Sequence, residues 1–131
     1  MQNRISTETG KMGKIVYARI SPNEDLVVSI EKICLSEKMS NAFIRGGVGS
    51  LVDACIYAHG NRQVTLKGPA IEIINLVGEV RLGVGGALNA FVSGVVADNE
   101  GNVYGGRFVP GMNPICITAE VTLEEWIPDI A

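Results

Sequence analysis

Apolar and polar residues alternate along most of this chain with a period of two, the spacing of strands that bury one face. Ile115–Trp126 shows it most cleanly, where Ile117, Ala119, Val121 and Leu123 interleave with Thr118, Glu120, Thr122 and Glu124. One segment breaks the rhythm. Leu26, Val27, Ile30, Ile33 and Cys34 recur at three- and four-residue steps and so line one side of a helix. Ser21-Pro22-Asn23-Glu24 supplies its start, with Ser21 as cap, Pro22 at the first position and Glu24 closing a capping box. Lys38 suits the negative end of the helix dipole, and Ser40-Asn41 marks the stop. The pattern predicts one main helix over about Asn23–Met39.

The other segments read as strands: Lys14–Ile20, Ala42–Arg45, Leu51–Ala58, Arg62–Lys67, Ala70–Val77, Ala87–Ala97, Asn102–Val109 and Ile115–Trp126. Asp98-Asn99-Glu100-Gly101 joins two of them as a tight turn, because Asn, Asp and Gly tolerate left-handed backbone. Gly46, Gly47 and Gly49 read as a structural turn before Ser50. Gly105 and Gly106 are given the same structural role, since glycines in a strand-like run mark a bulge or a close backbone approach. One helix among seven or eight strands at hairpin spacing predicts an α+β domain with a largely antiparallel sheet. Residues 1–13 are polar and are expected to form a flexible N-terminal segment, with 14–131 as a single domain.

With 131 residues the chain is long enough for one self-supporting core. Its 47% hydrophobic share is at the upper end for a protein of this size, which suggests that some apolar surface is hidden between copies. The net charge is -3, and no run of basic residues or minor-groove arm is present. DNA binding is therefore not supported, because phosphate neutralisation supplies much of its energy. No apolar stretch approaches the length of a membrane span, and the first residues do not form a signal peptide. Cys34, Cys55 and Cys116 lie far apart and read as reduced thiols, which fits a cytoplasmic protein.

Candidate chemistry is sparse. The Gly46–Ser50 loop lacks the Lys-Ser/Thr of a phosphate-binding loop, and a strand rather than a helix follows it. Glu72 lies mid-strand between apolar neighbours, where a carboxylate faces solvent, pairs with a base or does acid–base work. His59 is the only histidine and reads as a solvated turn residue, so no histidine-based metal site can form. No cofactor is implied and no catalytic set emerges, which favours a non-enzymatic reading.

Three motifs recur in order: Gly-Val-Gly-Ser at Gly47–Ser50, Gly-Pro-Ala-Ile-Glu-Ile-Ile-Asn-Leu-Val-Gly at Gly68–Gly78, and Asp-Asn-Glu-Gly-Asn-Val-Tyr-Gly-Gly at Asp98–Gly106. Together they resemble the plants-and-prokaryotes conserved domain, which follows the AT-hook in plant nuclear proteins and stands alone in many prokaryotes. The resemblance covers Lys14 to Trp126 and implies a homotrimer, in a family often labelled DNA-binding. The high apolar share, the many strand edges and the lack of a catalytic set favour a role in assembly or regulation. Histidine-bearing members hold a metal through three positions that match Asn89, Phe91 and Arg107. All three ligands are gone, so metal chemistry is not expected here. Arg107 and Asn89 could instead hold a small anion or metabolite, in a site between subunits, with Glu72 as a third member. An internal Arg107–Glu72 ion pair is the simpler reading of the same residues.

Overall fold

The computed structural model describes residues 4–129. Eight strands and one α-helix follow the order β1 (Gly10–Ile20), α1 (Leu26–Ser36), β2 (Ala42–Leu51), β3 (Ala54–Tyr57), β4 (Gln63–Leu66), β5 (Ile71–Leu82), β6 (Leu88–Ala97), β7 (Val103–Phe108) and β8 (Ile115–Pro128). All lie in one sheet of order β1-β8-β2-β5-β6-β7-β3-β4, and every pairing is antiparallel. The α+β reading therefore holds.

Period-two patterning decides which face the helix covers. Ile71, Ile73, Leu76 and Val80 of β5, Val92 and Val96 of β6, and Ala119, Val121 and Leu123 of β8 are buried. Leu26, Val27, Ile30 and Cys34 of α1 complete that core. The opposite face has no helix on it among the described residues. There Val48, Val77, Phe91 and Val103 stay open to solvent, with Val103 64% exposed.

Five expectations need correction. The helix is shorter than Asn23–Met39. Asp25, not Ser21, is its cap, and its carboxylate accepts the Val28 N–H at 2.9 Å. Asn23 takes a left-handed φ of 71°, so Ser21–Glu24 is a turn and no capping box forms. Lys38 also lies outside the helix, at a left-handed φ of 59°. Strand β1 begins at Gly10, so three residues of the supposed flexible segment, Gly10, Lys11 and Met12, pair with β8. Leu51–Ala58 divides between β2 and β3.

Nor do the five glycines form turns: Gly46, Gly47 and Gly49 lie within β2, and Gly105 and Gly106 within β7. At Gly49 the φ of 149° and the nearby Thr118 carbonyl leave no room for a side chain, which is a packing role inside a strand. Gly106 fits the close-approach expectation, because a Cβ there would stand 2.8 Å from the Tyr57 carbonyl oxygen.

Candidate functional site

Register brings the aromatic and polar side chains of the outer sheet face together. In an antiparallel pair, residues opposite each other share a face. Arg107 on β7 stands opposite Ser93 on β6 and Tyr57 on β3. Asn89, Phe91 and Ser93 alternate along β6 on that same face. The Arg107 guanidinium lies 4.6 Å from the centre of the Tyr57 ring and 6.0 Å from that of Phe91. Stacking on two rings holds the planar fork in place at little further entropic cost.

A break in the ladder opens a cleft beside the stack. β7 pairs with β6 only through Ser93–Ala97, because β7 ends at Phe108. The Leu88–Val92 half of β6 is left with one free edge. Glu31 of α1 covers part of it, and its carboxylate accepts the Ala90 N–H at 3.0 Å. The resulting cleft of about 170 Å³ is lined by Glu31, Tyr57, Asn89, Phe91, Arg107 and Pro110, among others.

A polar knot fixes the chain just past the site. Asn113 is fully buried; its amide donates to the carbonyls of Cys55 and Val109, and its oxygen accepts the Cys55 N–H at 2.8 Å. Its own N–H donates to the second oxygen of the Asp25 cap at 2.8 Å. One asparagine thus ties β3, the β7–β8 turn and the start of α1 together, and so holds β7 and α1 on either side of the cleft.

Of the residues singled out from sequence, Arg107 and Asn89 meet in this cleft and Glu72 does not. Glu72 is exposed on β5, opposite Ala97 of β6. Ala97 lies four residues beyond Ser93, which is ~13 Å along the strand. The Arg107–Glu72 ion pair is therefore absent. The salt bridges among the described residues are Lys14–Glu37, Arg19–Glu120, Arg45–Glu124, Arg81–Glu8 and Arg81–Glu79, and Arg107 takes part in none. His59 is exposed in a turn, as expected.

Two site residues escape sequence reading. Glu31 looks like one more solvated helix position, and only the broken ladder gives it a partner. Tyr57 carries one signal, because alternation in Leu51–Ala58 sets it apart from the buried Ala54 and Ile56. Glu31 also acts at a distance: burial pushes the Cys34 thiol up to about 11, and the Glu31 charge adds to the shift. Such a thiol stays protonated and inert.

The donor set does not fit a metal. Phe91 offers no lone pair, Arg107 is a permanent cation, and Asn89 alone is a weak ligand. Among the described residues no group of three or more His, Cys, Asp or Glu side chains could hold a metal ion. No helix there is long and apolar enough to cross a membrane.

Comparison with known proteins fits this architecture. A plant- and prokaryote-conserved protein of Pyrococcus horikoshii superposes with a TM-score of 0.79 at 25% identity, over 93% of this chain and 85% of that one. A metal-containing protein of Archaeoglobus fulgidus gives 0.80 at 22% identity, over 95% and 87%. A candidate DNA-binding protein of Bacteroides thetaiotaomicron gives 0.75 at 14% identity, over 88% and 83%. No functionally curated protein matches the chain. The family model of the Plants and Prokaryotes Conserved domain matches residues 7–127, nearly the whole sequence, and the chain belongs to that family.

Proposed function

We propose that this protein is a self-associating, non-enzymatic module, a homotrimer with a role in assembly or regulation. The outer face of the sheet carries the reading. Val48, Val77, Phe91 and Val103 form an apolar surface across β2, β5, β6 and β7 that no element among the described residues covers. An uncovered apolar face of this kind marks an interaction surface. Further copies of the chain satisfy it with closed symmetry and leave no open sheet face. DNA binding, the description carried by the Bacteroides relative, draws no support from a chain of net charge -3.

Sedimentation equilibrium at micromolar concentration tests the reading. The expected mass is three times the 13.9 kDa of one chain. Val77→Asp places a charge in the middle of the face and should shift the protein toward monomer while circular dichroism keeps its strand signature. A wild type that sediments as a monomer overturns the proposal.

A further inference from the structure

We propose that the cleft between α1, β6 and β7 binds a small carboxylate that also carries a protonated amine or a hydroxyl, with Arg107 taking the carboxylate and Glu31 the donor group. The inference rests on side chains of one chain, of which Phe91 also belongs to the face proposed for self-association.

Three observations converge on it. Arg107 has its guanidinium over the Tyr57 ring at 4.6 Å and within 6.0 Å of the Phe91 ring centre, and among the described residues it pairs with no carboxylate. A stacked guanidinium keeps its edge N–H donors free, and their fork matches the two oxygens of a carboxylate. Glu31 lines the same cleft with opposite charge and spends one oxygen on the Ala90 N–H, which leaves the other to accept. The two charges do not neutralise each other directly, because no Arg107–Glu31 bridge forms. A ligand that is itself anionic at one end and a donor at the other satisfies both.

Size and charge narrow the class. About 170 Å³ suits a molecule of amino-acid dimensions rather than a nucleotide. Phosphate carries between one and two negative charges at neutral pH and would share the cleft with the Glu31 carboxylate, so a carboxylate is preferred. Asn89 adds one donor and one acceptor at the rim. Tyr57 and Phe91 supply apolar walls that raise the strength of the charged contacts by excluding water.

Titration of the wild type with glycine, acetate, methylamine and inorganic phosphate, followed by NMR, tests the proposal. The Ala90 amide and the Arg107 side-chain N–H report directly on the two ends of the cleft. Saturable shifts of both signals are expected with glycine at millimolar concentration, with acetate and phosphate binding at least about fivefold more weakly and methylamine not saturating. Arg107→Ala should weaken glycine binding by about tenfold or more, and Arg107→Lys by less. Glu31→Gln keeps an acceptor for the Ala90 N–H but loses the charge, so glycine and acetate should then bind alike. The inference is overturned if no probe gives saturable shifts up to about 100 mM, if the shifts persist in Arg107→Ala, or if phosphate binds best. Sedimentation of the same samples keeps the result separate from the trimer reading: a monomer that binds glycine sinks only the latter.

Discussion

Arg81 and Arg107 stand on the same face of the same sheet, each against aromatic rings, and they end in opposite electrostatic states. Arg81 lies 5.7 Å from the centre of the Phe43 ring and forms ion pairs with Glu8 at 3.1 Å and Glu79 at 3.2 Å. Arg107 lies 4.6 Å from the Tyr57 ring centre and 6.0 Å from that of Phe91, and among the described residues it pairs with no carboxylate. The difference comes from register. Two residues along its own strand, Arg81 finds Glu79 on the same face. The corresponding neighbours of Arg107 are Gly105 and Val109, and its cross-strand neighbours are Ser93 and Tyr57. The paired arginine ties the sheet to the segment before β1, whereas Arg107 is held against aromatic rings with no ion pair among the described residues.

The largest effect should come from removing what holds the Arg107 side together. Asn113→Ala deletes three buried hydrogen bonds and leaves the Cys55 N–H without its partner. A loss of about 3 kcal/mol is expected, measured as a lower urea midpoint. At temperatures where the variant is still folded, the fluorescence of Trp126 should be native, because this single tryptophan packs 6.0 Å from Phe43 in the Arg81 cluster. A large change in that signal would mean that the two regions are not independent.

A middle-sized effect should follow from filling the close approach next to Arg107. Gly106→Val places carbon atoms against the Tyr57 carbonyl and the Ile56 side chain, which pushes β3 away from β7. Overpacking of this kind costs about 1–3 kcal/mol. The Tyr57 ring should also leave the guanidinium, so the Arg107 side-chain N–H resonance should move even without ligand. Gly105→Val is the control, since its nearest neighbours stand at 3.6 Å and 3.9 Å, and it should cost much less. Equal losses in the two variants would dismiss the close approach as the cause.

How far the sequence could anticipate this contrast depends on the range of the interaction. The alternation in Ile115–Trp126 and the helical spacing from Leu26 to Cys34 are local, and they predict the sheet, the helix and its buried face. The Asp25 cap was hidden because Ser21-Pro22-Asn23-Glu24 imitates a helix start, and Asn113 decides between the two by donating to Asp25 across the fold. Gly47 and Gly49 imitate a turn for a related reason: glycines that let two backbones pack look in sequence like glycines that let one backbone bend. Arg107 and Asn89 were legible because they stand at the positions where histidine-bearing members of the family place metal ligands. Glu72 was misplaced, since only the register of β5 on β6 sets its distance from Arg107. Glu31 was illegible, because its role arises where β7 leaves β6 at Phe108.

The smallest effect is a pH response confined to one of the two arginines. Glu8 titrates below its ordinary value of 4.5, first because the Trp126 N–H donates to it and then because Arg81 does. A carboxyl whose folded value is depressed adds stability that is fully present above 4.5 and fades as pH falls through the folded value. Glu8 is exposed, so solvent and salt screen most of this, and the effect is better read locally than as global stability. Trp126 fluorescence should change with a midpoint below pH 4.5 as its hydrogen bond to Glu8 is lost. In Arg81→Ala that midpoint should rise toward 4.5, whereas Arg107→Ala should leave it in place. A midpoint that follows Arg107 instead would join the two regions into one electrostatic unit, and Arg107 would then no longer be the free charge on which the ligand site depends.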